Sequence, residues 1–128
     1  MKRSIVLTVV GFLLTAVVSA QQPAFKRTVL QQSDLSVPGR EVVQAVADFE
    51  PRATPGRHTH PGEEIGYVLE GTFLVEQEGK APVTLKAGGT FLIPAGTIHN
   101  ATNTGGGSGK ILATYIVEKG KPLATPAK

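Results

Sequence analysis

The sequence predicts an all-β domain, a barrel or sandwich of short strands. Runs rich in β-branched and aromatic residues recur along the chain, and turn-forming Gly, Pro and Asn residues separate them. In residues 40–49, Val43, Ala45, Ala47 and Phe49 lie on one side of an alternating pattern, which is the period of a half-buried strand. No segment after the first twenty residues has a convincing helical pattern, so we expect strands throughout.

The predicted strands follow one another with short connections. In chain order they cover residues 25–30, residues 40–49, a short strand carrying His58 and His60, and residues 65–69, 72–76, 83–86, 90–93 and 111–118. The turns between them fall at residues 37–39, 51–56, 70–71, 77–80 and 88–89. Residues 102–109 are expected to form a loose Gly-rich loop, and residues 119–128 a frayed, flexible tail.

The first twenty residues have the layout of a secretory signal peptide. Lys2 and Arg3 provide a basic start, residues 5–18 an apolar run, and residues 18–20 small side chains suited to cleavage before Gln21. A retained membrane anchor is the alternative. It is disfavoured because the run is shorter than the roughly 20 residues of a spanning helix and contains polar interruptions. We therefore predict a protein secreted to a bacterial periplasm, with no stable membrane anchor.

Composition narrows the chemistry of the remaining 108 residues, enough for one domain. Without Lys2 and Arg3 the formal charge falls from +3 to +1, and no basic run or aromatic platform indicates nucleic-acid binding. The chain has no cysteine, so disulfides do not stabilise it and thiolates are neither ligands nor nucleophiles. The available chemistry is that of oxygen and imidazole groups.

The histidines form the clearest candidate site. In an extended strand His58 and His60 lie on one face, about 6.6 Å apart at roughly 3.3 Å per residue. Glu64 has the same parity, beyond a Pro-Gly break, and His99 lies in a second turn-rich segment. Glu63 is the competing carboxylate. The hypothesis is that the three histidines and one glutamate bind one divalent transition metal, whereas a lone histidine is more often a satisfied core or surface residue.

These residues carry a resemblance to the cupin superfamily. The first cupin motif, G-x5-H-x-H-x(3,4)-E-x6-G, is matched by His58, His60, Glu64 and Gly71, but Arg52 stands at its leading glycine, and we expect Gly56 to serve that turn instead. The second motif, G-x5-P-x-G-x2-H-x3-N, is matched in full by Gly88, Pro94, Gly96, His99 and Asn103. The two motifs occur in the right order, and the resemblance covers residues 42–117. Glu63 fits neither allowed spacing from His60. Gly71, Gly88 and Gly96 are expected to have architectural roles, and Asn103 is expected to form hydrogen bonds with the backbone of its loop.

The resemblance implies a small single-domain cupin, a jelly-roll barrel also called a double-stranded β-helix. It places the barrel at residues 41–118 and an N-terminal arm at residues 21–40. In such cupins the arm often contributes a strand to a second subunit, so a homodimer is expected. The implied cofactor is one divalent transition metal (Fe, Mn, Ni, Cu, Co or Zn) held by His58, His60, Glu64 and His99.

Several functions are compatible with that site, because the fold does not select among them. A metal-dependent, dioxygenase-like oxidoreductase acting on a small chelated organic substrate is favoured, with a lyase or isomerase as one alternative. A non-catalytic periplasmic binder of a small molecule or metal ion is the other. Tyr67 and Tyr115 are candidate acid–base residues, although each is more readily explained as a packed amphipathic ring, and the odd offset of Tyr67 from Glu64 turns it away from the site.

Overall fold

The computed structural model describes residues 19–128, and all regular structure in that range is β. The predicted signal peptide lies outside the described residues apart from Ser19 and Ala20. No helix in the described range is long and apolar enough to cross a membrane. The ten strands are β1 (Phe25–Asp34), β2 (Arg40–Phe49), β3 (His58–Thr59), β4 (Gly62–Glu70), β5 (Thr72–Gln77), β6 (Val83–Lys86), β7 (Thr90–Ile93), β8 (His99–Asn103), β9 (Gly109–Glu118) and β10 (Thr125–Pro126).

The strands form two five-stranded sheets with antiparallel pairing. One sheet has the order β1-β2-β9-β4-β7, and the other has the order β10-β3-β8-β5-β6. Consecutive strands β3 and β4, and again β4 and β5, belong to different sheets, so the chain crosses repeatedly between the layers. This arrangement confirms the predicted all-β double-stranded β-helix.

Alternation along the strands explains how the two sheets share one core. In β9 every second residue, from Gly109 to Val117, is buried, and the residues between them are partly exposed. The inward side chains are apolar because they pack between the sheets, where removal from water stabilises them. Phe73, Val75 and Ile93 are buried and Phe91 packs against them, so the inner wall is apolar here.

Three segments differ from the prediction. β1 runs to Asp34, beyond the predicted end at Leu30, and pairs with β2 of its own chain. β8 extends the chain after His99 as a strand, where a turn and a loop were expected. The C-terminal tail, expected to be frayed, pairs β10 with β3. β8 and β10 could not be predicted from the local sequence, because the strands that pair with them lie far away along the chain.

The turns give the motif residues clear backbone roles. Gly71, Gly88 and Gly96 have φ angles of 87°, 90° and 70°, a region that side chains disfavour, so their architectural role is confirmed. Arg52 has a φ of 68°, and Gly56, expected to replace the motif's leading glycine, also has a positive φ, of 81°. The left-handed conformation is therefore kept at position 52 even though the residue is arginine.

Asn103 ties the end of β8 to two distant loops. Its side chain is fully buried, its Nδ2 donates to the carbonyls of Glu50 (3.1 Å) and Gly107 (2.8 Å), and its Oδ1 accepts from the Gly105 amide (3.0 Å). A buried amide so satisfied stabilises the loops it joins. The expectation that Asn103 bonds backbone is confirmed.

Candidate metal centre

The structure brings the four predicted ligands together between the two sheets. His58 on β3 lies directly opposite His99 on β8, and His60 immediately follows β3. Glu64 reaches the same point from β4 in the facing sheet. One ligand atom from each of the four side chains lies within 4.8 Å of all the others. His99 lies 35 to 41 positions along the chain from the other three ligands, so the four side chains meet only because the barrel closes.

Each imidazole is oriented by a backbone carbonyl. The Nδ1 of His58 lies 2.7 Å from the Gly56 oxygen, that of His99 lies 2.8 Å from the Thr97 oxygen, and that of His60 lies 2.6 Å from the Leu123 oxygen. A carbonyl oxygen can only accept, so each Nδ1 carries the proton and each Nε2 presents a lone pair. Such outer partners fix the tautomer and direction of metal-binding histidines.

The ligand atoms that face one another inside the site have no proton between them with which to form a hydrogen bond. Glu64 Oε2 lies 2.9 Å from His99 Nε2 and 3.0 Å from His60 Nε2. With Nδ1 protonated, these nitrogens and the carboxylate are all acceptors, and the buried His60 Nε2 has no hydrogen-bond partner within the described chain. Acceptors at such distances repel unless a cation lies between them. The donor set therefore fits a bound metal ion.

Burial and the neighbouring groups set the protonation states of His58 and Glu64. The four side chains belong to residues that are only 3–7% exposed. Burial lowers the pKa of His58 from 6.5 to about 4, so this imidazole is neutral at physiological pH. Burial raises the pKa of Glu64, whereas a proton on the Nε2 of His60 or His99 lowers it more strongly, through a hydrogen bond and through charge, to about 2, and a bound cation would act on the carboxylate in the same direction. The site thus presents the neutral imidazole of His58 and the Glu64 carboxylate to a cation.

Three imidazoles and one carboxylate suit a first-row divalent ion. Nitrogen and oxygen donors of this kind bind Mn, Fe, Co, Ni, Cu and Zn, and intrinsic affinity alone does not select one of them. A metal in such a site supplies Lewis-acid chemistry and lowers the pKa of bound water. The residues of this chain fit the metal that its motifs imply.

A small cavity lies beside the cluster. Its volume is about 30 Å³, roughly the room of two water molecules. His58, Glu64 and His99 contribute to its wall, and the other lining residues are mostly apolar or aromatic: Phe25, Ala47, Phe49, Val75, Phe91, Ile111, Ala113 and Tyr115. Such a wall limits the water that reaches the ligands and admits only a small molecule.

Of the two candidate tyrosines, Tyr115 lies at the site and Tyr67 does not. Tyr115 is buried, faces Glu64 across the β4–β9 ladder, and has its ring centre 4.7 Å from that of His60. Burial, reinforced by the Glu64 charge, raises the pKa of its hydroxyl, which stays protonated. Tyr67 is 45% exposed on the outer face of β4, as its offset from Glu64 predicts. Glu63 has the same outward parity and lies outside the cluster.

Two contributors to the site were missed by sequence reasoning. Arg27, on β1, lines the cavity, and its Nε donates to the Tyr115 hydroxyl oxygen at 3.2 Å. The sequence could have indicated Arg27, because it lies two positions from Phe25 and both residues therefore face inward along the strand. The Leu123 carbonyl, which orients His60, had no signal, because any residue can supply a backbone oxygen.

Comparison with known proteins agrees with the fold and site. A family model described as a cupin domain matches residues 45–121, which is more than half of the chain. The chain therefore belongs to the cupin family. Among characterised proteins, it is 34% identical over 79 residues to the HTH-type transcriptional regulator PuuR of Escherichia coli K12, an alignment that covers 61% of this chain and 42% of the regulator. The chain thus spans less than half the length of that relative.

Solved structures show the same architecture. Oxalate oxidase in complex with the substrate analogue glycolate superposes with a TM-score of 0.59 at 29% identity, over 66% of this chain and 45% of that one. A cupin superfamily protein of Desulfitobacterium hafniense gives a TM-score of 0.64 at 18% identity, over 82% and 88% of the two chains. A double-stranded β-helix protein of Klebsiella pneumoniae gives 0.64 at 22%, over 86% and 89%. The last two likenesses concern the fold alone.

Proposed function

We propose that this chain is an exported, metal-dependent oxidoreductase of dioxygenase-like type that acts on a small organic substrate. The observation that carries the proposal is the convergence of three Nε2 lone pairs and the Glu64 carboxylate on one buried point. The likeness to a structure of oxalate oxidase, an enzyme named as an oxidase, adds support. Fold alone does not select a reaction, so the site chemistry is the main argument.

Each part of the site has a role in this proposal. His58, His60, Glu64 and His99 hold the ion, which supplies Lewis-acid and redox chemistry when bound. With four ligands from the protein, an ion that prefers six would still have room for substrate oxygens. The apolar wall excludes bulk water, and the protonated hydroxyl of Tyr115 lies next to His60 as a hydrogen-bond donor.

Metal content and turnover test the proposal. Natively expressed protein is analysed by elemental mass spectrometry, and oxygen uptake is then followed with small hydroxy acids, dicarboxylic acids and β-diketones. We expect close to one transition metal per chain and turnover of one substrate class. Glu64→Gln should lose both metal and turnover, whereas Glu63→Gln, which removes the neighbouring outward charge, should keep them. Absence of turnover in Fe, Mn, Ni, Cu and Co forms alike would exclude the oxidoreductase.

A non-catalytic binding module is the second candidate. The observation that favours it is the match to PuuR, a protein named as a transcriptional regulator, of which the chain covers 42%. A small ligand that co-purifies at about one per chain, together with metal that supports no turnover, would establish this function instead.

Export and self-association complete the proposal. The leader at residues 1–20 supports export to the periplasm, where mass spectrometry should find a mature chain that begins at Gln21.

A homodimer is supported by exposed apolar residues on the outer face of the first sheet, where Ile65 and Leu92 are direct ladder neighbours and 44% and 54% exposed. Light scattering should give twice the chain mass, and Ile65→Lys should reduce it. A wild-type monomer would refute the dimer.

A further inference from the structure

The wall of the cavity contains one cation, Arg27. This half-buried guanidinium lines the same small cavity as His58, Glu64 and His99. Its Nε donates to the hydroxyl oxygen of Tyr115, and its central carbon lies 5.5 Å from the centre of the Tyr115 ring. The ring of Phe25 lies at 5.4 Å. One hydrogen bond and two aromatic rings therefore hold the guanidinium in a defined position.

The remaining donors of Arg27 have no protein acceptor in the described part of the chain. No carboxylate there lies within ion-pair distance, and Nε alone donates a hydrogen bond. Arg57, by contrast, pairs with Glu78 at 3.0 Å and also contacts the Lys128 carbonyl, although it is exposed. A partly buried cation with free donors is costly unless a ligand or water accepts them. Arg27 thus brings free donors to the wall of this cavity, where a ligand or water would accept them.

Guanidinium groups bind carboxylates with two parallel hydrogen bonds, which Lys cannot reproduce. Building on the proposed function, we propose that Arg27 selects a small carboxylate as the substrate class, with the free guanidinium N–H groups holding one carboxylate oxygen or both. The cavity size limits such an acid to a few non-hydrogen atoms. Arg27 is then a specificity-determining residue, contributed by the strand that sequence analysis assigned to an N-terminal arm.

A binding experiment on the whole chain tests this without turnover. Protein loaded with Zn²⁺, which is not redox active, is titrated calorimetrically with glycolate and with its neutral isostere glycolamide. Arg27→Gln removes the cation. Lys26→Gln is the matched control, because it removes the same charge from the neighbouring residue, which is exposed on the other face of β1. We expect Arg27→Gln to weaken glycolate binding at least about tenfold and glycolamide binding by less than about twofold, the difference reporting charge-assisted hydrogen bonds. Lys26→Gln should bind both as the wild type does, with equal zinc content.

A second measurement covers the case in which Arg27→Gln folds poorly. In the wild type, the assigned ¹⁵N–¹H resonance of Arg27 Nε should shift on addition of glycolate and stay in place with glycolamide. Unchanged glycolate affinity in a folded Arg27→Gln, or an unmoved Arg27 resonance, would overturn the proposal and leave Arg27 as a packing residue over Tyr115. The two proposals fail separately. Arg27-dependent glycolate binding without any turnover refutes only the oxidoreductase, and turnover that is equal in wild type and Arg27→Gln refutes only the selection of carboxylates.

Discussion

The C-terminal segment should control metal affinity through one carbonyl. The Leu123 oxygen accepts from His60 Nδ1 at 2.6 Å, and the Leu123 side chain packs against the core beside Tyr115. Four residues further on, the Ala127 amide donates to the Arg57 oxygen at 2.9 Å, next to the β10–β3 pairing. The segment thus makes two separable contacts, one with a metal ligand and one with the sheet edge.

Two truncations separate these contacts. Removal of residues 125–128 deletes β10 but keeps Leu123 followed by Ala124, so its peptide carbonyl remains. Removal of residues 122–128 deletes that carbonyl as well. Loss of the outer partner of a ligating histidine typically costs 10–100-fold in metal affinity, so we expect about that loss for the longer truncation and less than about threefold for the shorter one.

The longer truncation should also lower stability. Relative to the shorter truncation it removes a half-buried leucine, worth about 1 kcal/mol, and one further hydrogen bond, worth about 1 kcal/mol. Together these correspond to a drop in Tm of roughly 10 °C for a domain of this size. The folded domain should persist, because the ladder that joins β2, β9 and β4 is untouched.

Competition against a zinc-binding dye at pH 7 measures the affinities, and circular dichroism verifies that both truncations are folded. Equal zinc affinity for the two folded truncations would refute the reasoning, because His60 would then bind metal without the Leu123 carbonyl.

Three further predictions concern single residues. Glu64→Gln should reduce zinc affinity at least about 100-fold while Glu63→Gln leaves it unchanged, because only Glu64 faces the histidines; chelator competition measures both. The metal-free protein should lose stability as pH falls from 6.5 to 4. The pKa of His58 is near 6.5 in the unfolded state and about 4 in the folded state, so the unfolded state binds more protons in that window. Thermal melts should show this slope, and His58→Gln should flatten it; an equal slope in both proteins would contradict the assignment. Arg52→Gly should raise unfolding free energy by about 0.5 kcal/mol, as the relief of a left-handed conformation outweighs the added chain entropy. A lower Tm would mean that the Arg52 side chain makes a stabilising contact.

The strands were largely predictable because their signals are local. Alternation marks residues 40–49 and 111–118 directly, and the observed β2 and β9 have nearly those bounds. β8 and β10 lacked such a signal, since each is short and is extended only by pairing with a distant strand.

The sequence by itself determined the all-β class, the cupin resemblance and the identity of the four residues that converge. Side-chain type and spacing are sufficient for these, because Pro-Gly turns and motif glycines impose the same backbone wherever they occur. Only the tertiary structure decided the orientation of each imidazole, the presence of Arg27 in the cavity wall and the contact between His60 and the C-terminal segment. These depend on carbonyls and strands brought together from opposite ends of the chain. The sequence does not indicate which backbone oxygen will accept a hydrogen bond, because every residue has one.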